Sequence, residues 1–315
     1  MNVKEPFGIV TGCYAGDRST VGATLASIRK YCPDTPVCLV VDGHIDVSDL
    51  EELYDLIILR VEELEREDMR DLIRGSGRAK LAAMWEGPFE HYVWMDADAV
   101  VWGNFLGEVR EDLDFQIFWN EISIPEDATD EPPWLAHFYF KLEELKKFDS
   151  DFEWRGHPYF STGVFACRRN VIPYEEWMKI ESWHNAVPGG IFKFWEQGML
   201  DYLVLAKSQR GEIKTAWTDL QWVRSRDHEG VKHDCKQCGW GFPEDVHRSM
   251  VLHFCGSKPS TLNFKCYSRP FTIARLDHHR RSRSFLGAWM AIFREDGLAF
   301  FKKIQERFRR IVPRG

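Results

Sequence analysis

Nothing in the 315 residues approaches the roughly 18 uninterrupted apolar positions that a membrane-spanning helix requires. The first residues, "MNVKEPFGIVTG", lack the charged start, apolar stretch and small-residue cleavage site of a secretory signal. Eight cysteines are too few, in a chain of this length, for a disulfide scaffold, and are expected to be reduced thiols in a cytoplasmic protein. No internal repeat and no long low-complexity linker divides the chain into independent units. Excess positive charge is also missing. The formal net charge is −8, which argues against a nucleic-acid partner, because phosphate attraction needs a basic face.

What is present suits a soluble α/β protein. Apolar residues make up 44% and charged residues 29% of the chain, enough for a sizeable core. The charge is unevenly spread. Residues 269–315 carry +8 and the preceding 268 residues −16, so a domain over 1–268 and a separate basic tail over 269–315 are expected.

The first half alternates strand-like and helix-like stretches. "FGIVTG", "PVCLVVDG", "LIILRV" and "YVWMDADAVV" read as strands, with "TVGATLASIRKYC" and "GRAKLAAMW" as helices between them. Continuous rather than alternating apolar strands predict a mostly parallel sheet with helices on both faces. Ligands of such sheets bind outside the carboxyl ends of the strands, here Thr11-Gly12 and Asp96-Ala97-Asp98. Further on, "FQIFWN" and "YFSTGVFACRR" read as strands. "PYEEWMKIESWHNAV" and "FKFWEQGMLDYLVLAK" read as helices about a Pro-Gly-Gly break.

Asp96 and Asp98 interrupt an apolar run. Two unpaired carboxylates are too costly to desolvate in a strand interior, so something must neutralise them or they must lie past its end. If the strand continues, residues i and i+2 point the same way and the two oxygens converge, as Mg²⁺ or Mn²⁺ requires. A helix cap or a salt-bridged strand end is the alternative. In "HFCGSKP", His253 is a candidate third ligand, Lys258 a point charge for phosphate oxygens, and Gly256 a point of close backbone approach. A buried core histidine is the other reading of His253.

Taken in order, "WMDADAVV", "YFSTGVFACRRN", "FWEQGMLDYL" and "HFCGSKP" resemble the motif set of the GT-A-fold glycosyltransferases. The closest resemblance is to glycosyltransferase family 8, the group of glycogenin and the bacterial lipooligosaccharide galactosyltransferases, over about residues 7–260. It implies a Rossmann-like GT-A sheet and a UDP-sugar donor whose diphosphate is bridged by Mn²⁺ (or Mg²⁺) on Asp96, Asp98 and His253. It also implies nucleotide contacts at Thr11, Gly12 and Tyr14, a donor-binding role for Lys80, and sugar contacts at Ser161 and Thr162. Gln197 falls under the anomeric carbon and Lys258 on the phosphates. The expected activity is hexose transfer to a glycan or lipid-linked acceptor with retention of configuration.

The sequence departs from that family's pattern. Lys80 stands where the family has an arginine, Gly198 where an acidic residue usually follows the glutamine, and the last motif is one residue shorter. Three other functions stay open: inversion with Glu196 or Asp201 as base, a sugar nucleotidyltransferase, and a non-catalytic glycan binder. Cys235-Lys-Gln-Cys238 offers half of a zinc knuckle but also fits plain thiols. Trp134, Trp154, Trp183, Trp195, Trp217 and Trp222 fit either sugar stacking or core packing. In the tail, Phe285, Trp289 and Phe293, then Phe301, Ile304, Phe308 and Ile311, recur at helical spacing among arginines and lysines. That pattern predicts a helix peripheral to an anionic membrane, at its inner face, or else one docked on the acidic body.

Overall fold

The computed structural model describes residues 5–75, 77–118, 122–194, 196–223, 250–255, 260 and 269–311. Strands β1 (Glu5–Cys13), β2 (Val37–Val41), β3 (Leu56–Arg60) and β4 (Phe89–Met95) lie parallel in the spatial order 3-2-1-4. The helices α1 (Arg18–Tyr31), α2 (Ser48–Tyr54), α3 (Glu67–Ile73) and α4 (Ala79–Glu86) connect them. Parity along the strands sorts side chains between two cores. Ile9, Leu39, Val93 and Met95 face α1 and α2, whereas Val10, Val40 and Trp94 face α4. Apolar residues at both parities therefore account for the unbroken apolar runs.

After β4 the chain leaves the sheet. A turn at Asp96-Ala97-Asp98 leads into β5 (Ala99–Val101), and β6 (Phe115–Ile117) returns to the main sheet. β7 (Ile122–Ser123) pairs with β8 (Pro158–Tyr159) as a separate ribbon, so "YFSTGVFACRR" is two strands, divided at 160–163. Its second half, β9 (Val164–Arg168), runs antiparallel between β4 and β6, and β10 (Thr215–Trp217) closes the edge beside β6. β11 (Gln221–Val223), β12 (Val251–His253) and β5 form a second, three-stranded sheet.

The short helices α5 (Pro133–Phe138) and α6 (Leu142–Leu145), with α7 (Tyr174–Ala186) and α8 (Glu196–Gln209), complete the larger core. α8 starts four residues later than its apolar pattern suggests. Phe192 makes a bridge to Phe140 instead, and Phe194 takes the left-handed φ of 46°.

The basic segment forms a hairpin of α9 (Arg269–Arg280) and α10 (Phe285–Ile311). Its docking is mostly apolar. Phe271 and Ala274 of α9 are buried with Ala23 of α1, Val100 of β5, and Leu252 and Phe254. The charge pairing does not follow the tail-positive, body-negative split. Arg275 is clamped inside the hairpin by Asp296 at 2.7 Å and Glu295 at 2.6 Å, and among the described residues a pair crossing to the body runs from Lys30 to Asp277.

His278 anchors α9 to α1 and α2. Tyr54 Oη lies 2.7 Å from its Nδ1, and a Cβ on Gly22 would come within 2.7 Å of its Nε2. Burial, then the neighbouring His279 and Arg18, push its pKa down to about 4, against the pull of Glu295 and Asp49. A base with a depressed folded pKa stabilises the fold fully above its unfolded value near 6.5 and loses that contribution as pH falls towards 4. The wild type should therefore lose on the order of 2–3 kcal/mol more than His278→Phe between pH 7 and pH 4. Denaturant melts of both proteins across that range test this, and parallel curves would remove the assignment.

Candidate active site

The turn after β4 explains how two carboxylates end a buried strand. Ala99 N donates to Asp96 O at 2.9 Å, closing the turn, so the two side chains converge by a turn and not by strand alternation. Three neighbouring elements pin it. Asp96 N donates to Gly163 O at 2.8 Å, Thr24 Oγ1 of α1 to Ala97 O at 2.8 Å, and Phe254 N to Asp98 O at 3.1 Å. β12 runs antiparallel to β5 in a register that pairs His253 with Ala99, which brings a residue 155 positions away beside Asp98.

His253 Nε2 lies 3.3 Å from Asp98 Oδ1 and 3.7 Å from Asp96 Oδ2. One ligand atom from each of the three lies within 4.8 Å of the others, the one such group of metal-binding type among the described residues. Two carboxylates and an imidazole fit a small divalent ion, which binds such donors at about 2.0–2.2 Å and so brings them within about 4.4 Å of one another. Trp94 Nε1 donates to the other Asp96 oxygen at 2.7 Å, leaving Oδ2 on the histidine side.

Lys80 is the fixed cation of the site. Its Nζ reaches Glu196 at 2.8 Å and Asp96 at 3.5 Å, and donates to Thr162 O and Oγ1 at 3.0 and 3.2 Å. Burial pulls this ammonium's pKa down, but Asp96 and Glu196 outweigh it and the net shift is upward. The position suits a compact charge with rotatable donors, which satisfies three separate residues where a planar guanidinium would not. Behind it, Arg78 and Glu181 form a buried pair at 3.4 Å, and Trp177 Nε1 donates to Glu181 at 3.0 Å.

Lys80, Trp94, Asp96, Asp98 and Glu196 line a crevice of about 250 Å³ at the carboxyl ends of β1, β2 and β4, together with Gly12, Cys13, Tyr14 and Asp42. Gly12, Tyr14, Lys80, Asp96, Asp98 and Glu196 are thus brought together as the sequence suggested. Thr11 is fully buried beneath them, and Thr162 reaches the site through Lys80. Ser161 lies in the same loop, with its Oγ accepting from Gly163 N at 3.4 Å. Gln197 lies on the outer side of α8, where its Nε2 donates to Phe138 O at 3.4 Å.

Asp201 is placed differently. It is fully buried, accepts a hydrogen bond from Phe160 N at 2.9 Å, and its pKa is raised by burial, so it braces the 160–163 loop outside the crevice lining. Gly256, Lys258, Cys235 and Cys238 lie outside the described residues. Of the tryptophans, Trp154 is core, Trp134 and Trp183 pack against it, and Trp217 is half-exposed on β10. Trp195 and the side chain of Trp222 also lie outside the described residues.

Three residues were not singled out from sequence, and Gly198 was noted only as a departure from the family pattern. Asp42 ends β2 at the crevice and holds Gly75 N at 2.9 Å, a position that the strand-end rule could have flagged. The Cys13 thiol, pushed up to about 11 mainly by burial, is no nucleophile. Gly163 has a steric role, since a Cβ there would stand 2.1 Å from His253 Cε1. Gly198 has another, since a Cβ would fall 2.1 Å from Tyr139 O, which accounts for the missing acidic side chain at that position.

No protein-family model and no curated protein sequence matches the chain. Solved structures do. The galactosyltransferase LgtC, in complex with donor and acceptor sugar analogues, superposes with a TM-score of 0.55 at 12% identity, over 88% of this chain and 97% of that one. The bifunctional glycosyltransferase WbbM gives 0.52 at 14% identity, over 90% of this chain and 52% of WbbM. The glycosyltransferase GlyE of Streptococcus pneumoniae TIGR4 gives 0.50 at 10% identity, over 91% and 64%. At these identities the likeness establishes the fold, which is GT-A.

Gly163→Ala should displace the His253 ring while leaving the aspartates in place. Mn²⁺ affinity, measured by the paramagnetic resonance of the free ion, should fall about tenfold or more, the range seen when support of a metal ligand is lost. Unchanged affinity would mean that the imidazole is not a ligand.

Proposed function

We propose that this chain is a metal-dependent glycosyltransferase that moves a hexose from a nucleotide-sugar, most simply a UDP-hexose, to a glycan or lipid-linked acceptor. The observation that carries the proposal is the convergence of Asp96, Asp98 and His253 beside Lys80 at the ligand-binding end of a GT-A sheet. A mere binder has no use for a charge clamp of this kind. The likeness to LgtC, whose structure holds donor and acceptor sugar analogues, supports a nucleotide-sugar donor and a sugar acceptor.

Asp96, Asp98 and His253 would hold the ion, and the imidazole suits Mn²⁺ better than Mg²⁺. The bound ion would supply positive charge where negative charge gathers on the departing diphosphate. The remaining work falls to the protein. Gly12, where a Cβ would meet the Trp94 ring at 3.0 Å and Ala79 Cβ at 3.2 Å, lets β1 pack closely at the crevice, and the half-exposed Tyr14 ring offers the nucleotide a face. Lys80 holds Glu196 and Asp96 in fixed positions, so neither must reorganise during reaction.

Retention of configuration is favoured by the state of the two candidate bases. Glu196 is paired with Lys80, and Asp201 is sealed in the core, so neither is poised to take an acceptor proton. For the acceptor, Phe138 and Phe194 stack with centroids 6.4 Å apart beside Gln197, and both are exposed. Such faces suit the C–H surface of a sugar better than the buried tryptophans do.

A peripheral membrane location is the second part of the proposal. Among the described residues no helix is long and apolar enough to cross a membrane. α10 buries Ala288, Ile292 and Asp296 on one side, while Leu286, Met290, Phe293 and Phe301 stand exposed on the other. The surrounding arginines and lysines match an anionic surface, as at the inner face of a cell membrane.

Two measurements test these readings. UDP should bind wild-type protein tightly only with Mn²⁺, and Asp98→Asn should stay folded while UDP release from UDP-hexose falls by roughly 10²–10³-fold. Release of pyrophosphate would instead identify a nucleotidyltransferase, and metal-independent turnover in Asp98→Asn would sink the assignment. In flotation assays the full chain should bind phosphatidylglycerol vesicles but not phosphatidylcholine ones, and Phe293→Asp with Phe301→Asp should abolish binding. Equal binding by the double variant would remove α10 from the membrane.

A further inference from the structure

The metal triad has a wall that the motifs do not contain. His253 Nδ1 is buried and has no hydrogen-bond partner among the described residues. A metal-ligating histidine is ordinarily oriented by a second hydrogen bond from its other nitrogen. Here shape must orient the ring. Gly163 leaves room on one side, and the backbone of Phe254 ties the histidine's end of β12 to Asp98 O on the other.

Phe254 is itself held by the C-terminal hairpin. Its ring meets that of Phe271 with centroids 5.5 Å apart at 61°, and both are buried with Val100, Leu252, Ala23 and Ala274. β5 follows Asp98 directly and β12 ends in His253, so one cluster lies behind both ligand-bearing strands. Arg275 caps the Phe271 ring at 5.9 Å, and Glu295 and Asp296 of α10 hold Arg275.

We infer that α9 is the back wall of the metal site and that Phe271 is a positioning residue, seating Phe254 and so fixing His253 against Asp98. The inference rests on the metal reading above. It makes residues 269–311 part of the catalytic body and gives α9 a purpose distinct from the exposed face of α10. A helix that served only to carry a membrane anchor would have no reason to reach the strands of the triad.

The test uses the full chain and Mn²⁺ alone as probe, with free ion followed by paramagnetic resonance. Phe271→Ala should weaken Mn²⁺ about tenfold, with Phe271→Leu between it and the wild type. In a His253→Ala background the same change should add almost nothing, because the ligand it positions is already gone. Ile292→Ala, in the hairpin but outside the cluster, should lose thermal stability and keep its Mn²⁺ affinity. Wild-type affinity in Phe271→Ala, or equal loss in Ile292→Ala, would overturn the inference. If Phe271→Ala does not fold, Phe271→Leu carries the comparison against the same control. A wild type that binds Mn²⁺ no better than Asp98→Asn would instead overturn the metal reading and this inference with it.

Discussion

Two carboxylates at the end of a buried strand impose the constraint on which the rest of the site depends. Each costs several kcal/mol to remove from water unless an opposite charge or a donor compensates it. Asp96 meets that cost with Trp94 Nε1, Lys80 and the imidazole of His253, and Asp98 with the same imidazole. Each of these three partners comes from a different element, so the charge balance couples α4, β4 and β12. Lys80 is shared among Asp96, Glu196 and Thr162, and the opposite side of the carboxylate pair faces His253.

The parts of this arrangement that were legible in sequence are those that violate a local rule. Asp96 and Asp98 stand out because charges interrupt an apolar run. His253 stands out because it follows one. The parallel sheet was legible because fully buried strands lack alternation, and Ile9 and Val10 do face opposite cores. What could not be read is tertiary in origin. Nothing local distinguishes a strand that continues through "MDADAVV" from one that ends at Met95, because the turn is held by Gly163, Thr24 and Phe254 from three distant segments. The roles of Gly163 and Gly198 are volumes denied to a side chain, set by a histidine 90 positions away and by a carbonyl across a helix boundary.

Charge counting says little about how the C-terminal segment docks, for a related reason. Twelve basic residues and a strong helical period dominate any composition measure, although Arg275 among them is buried inside the hairpin. The residues that dock it, Phe271, Ala274 and His278, are few, and two of them look ordinary in sequence. The Arg275 salt bridges that stabilise the hairpin are internal to it, and the Lys30–Asp277 pair that crosses to the body draws on an acidic residue of the hairpin. Docking and display are therefore separate properties of separate faces, and neither competes with the other.

That separation bears on how the hairpin can serve both ends of the proposed reaction. α10 is fixed to α9 by the Arg275 clamp, and α9 to the metal strands by Phe271, so the exposed aromatic face is presented in a set relation to the triad. A glycan acceptor carried on a membrane would then approach a crevice whose distance from the surface is determined by packing and not by a linker. A flexible tether would serve affinity for the membrane equally well but would cost orientation. The buried Arg275–Asp296 pair is costly to desolvate, and on the proposed reading it would serve that need for a single geometry.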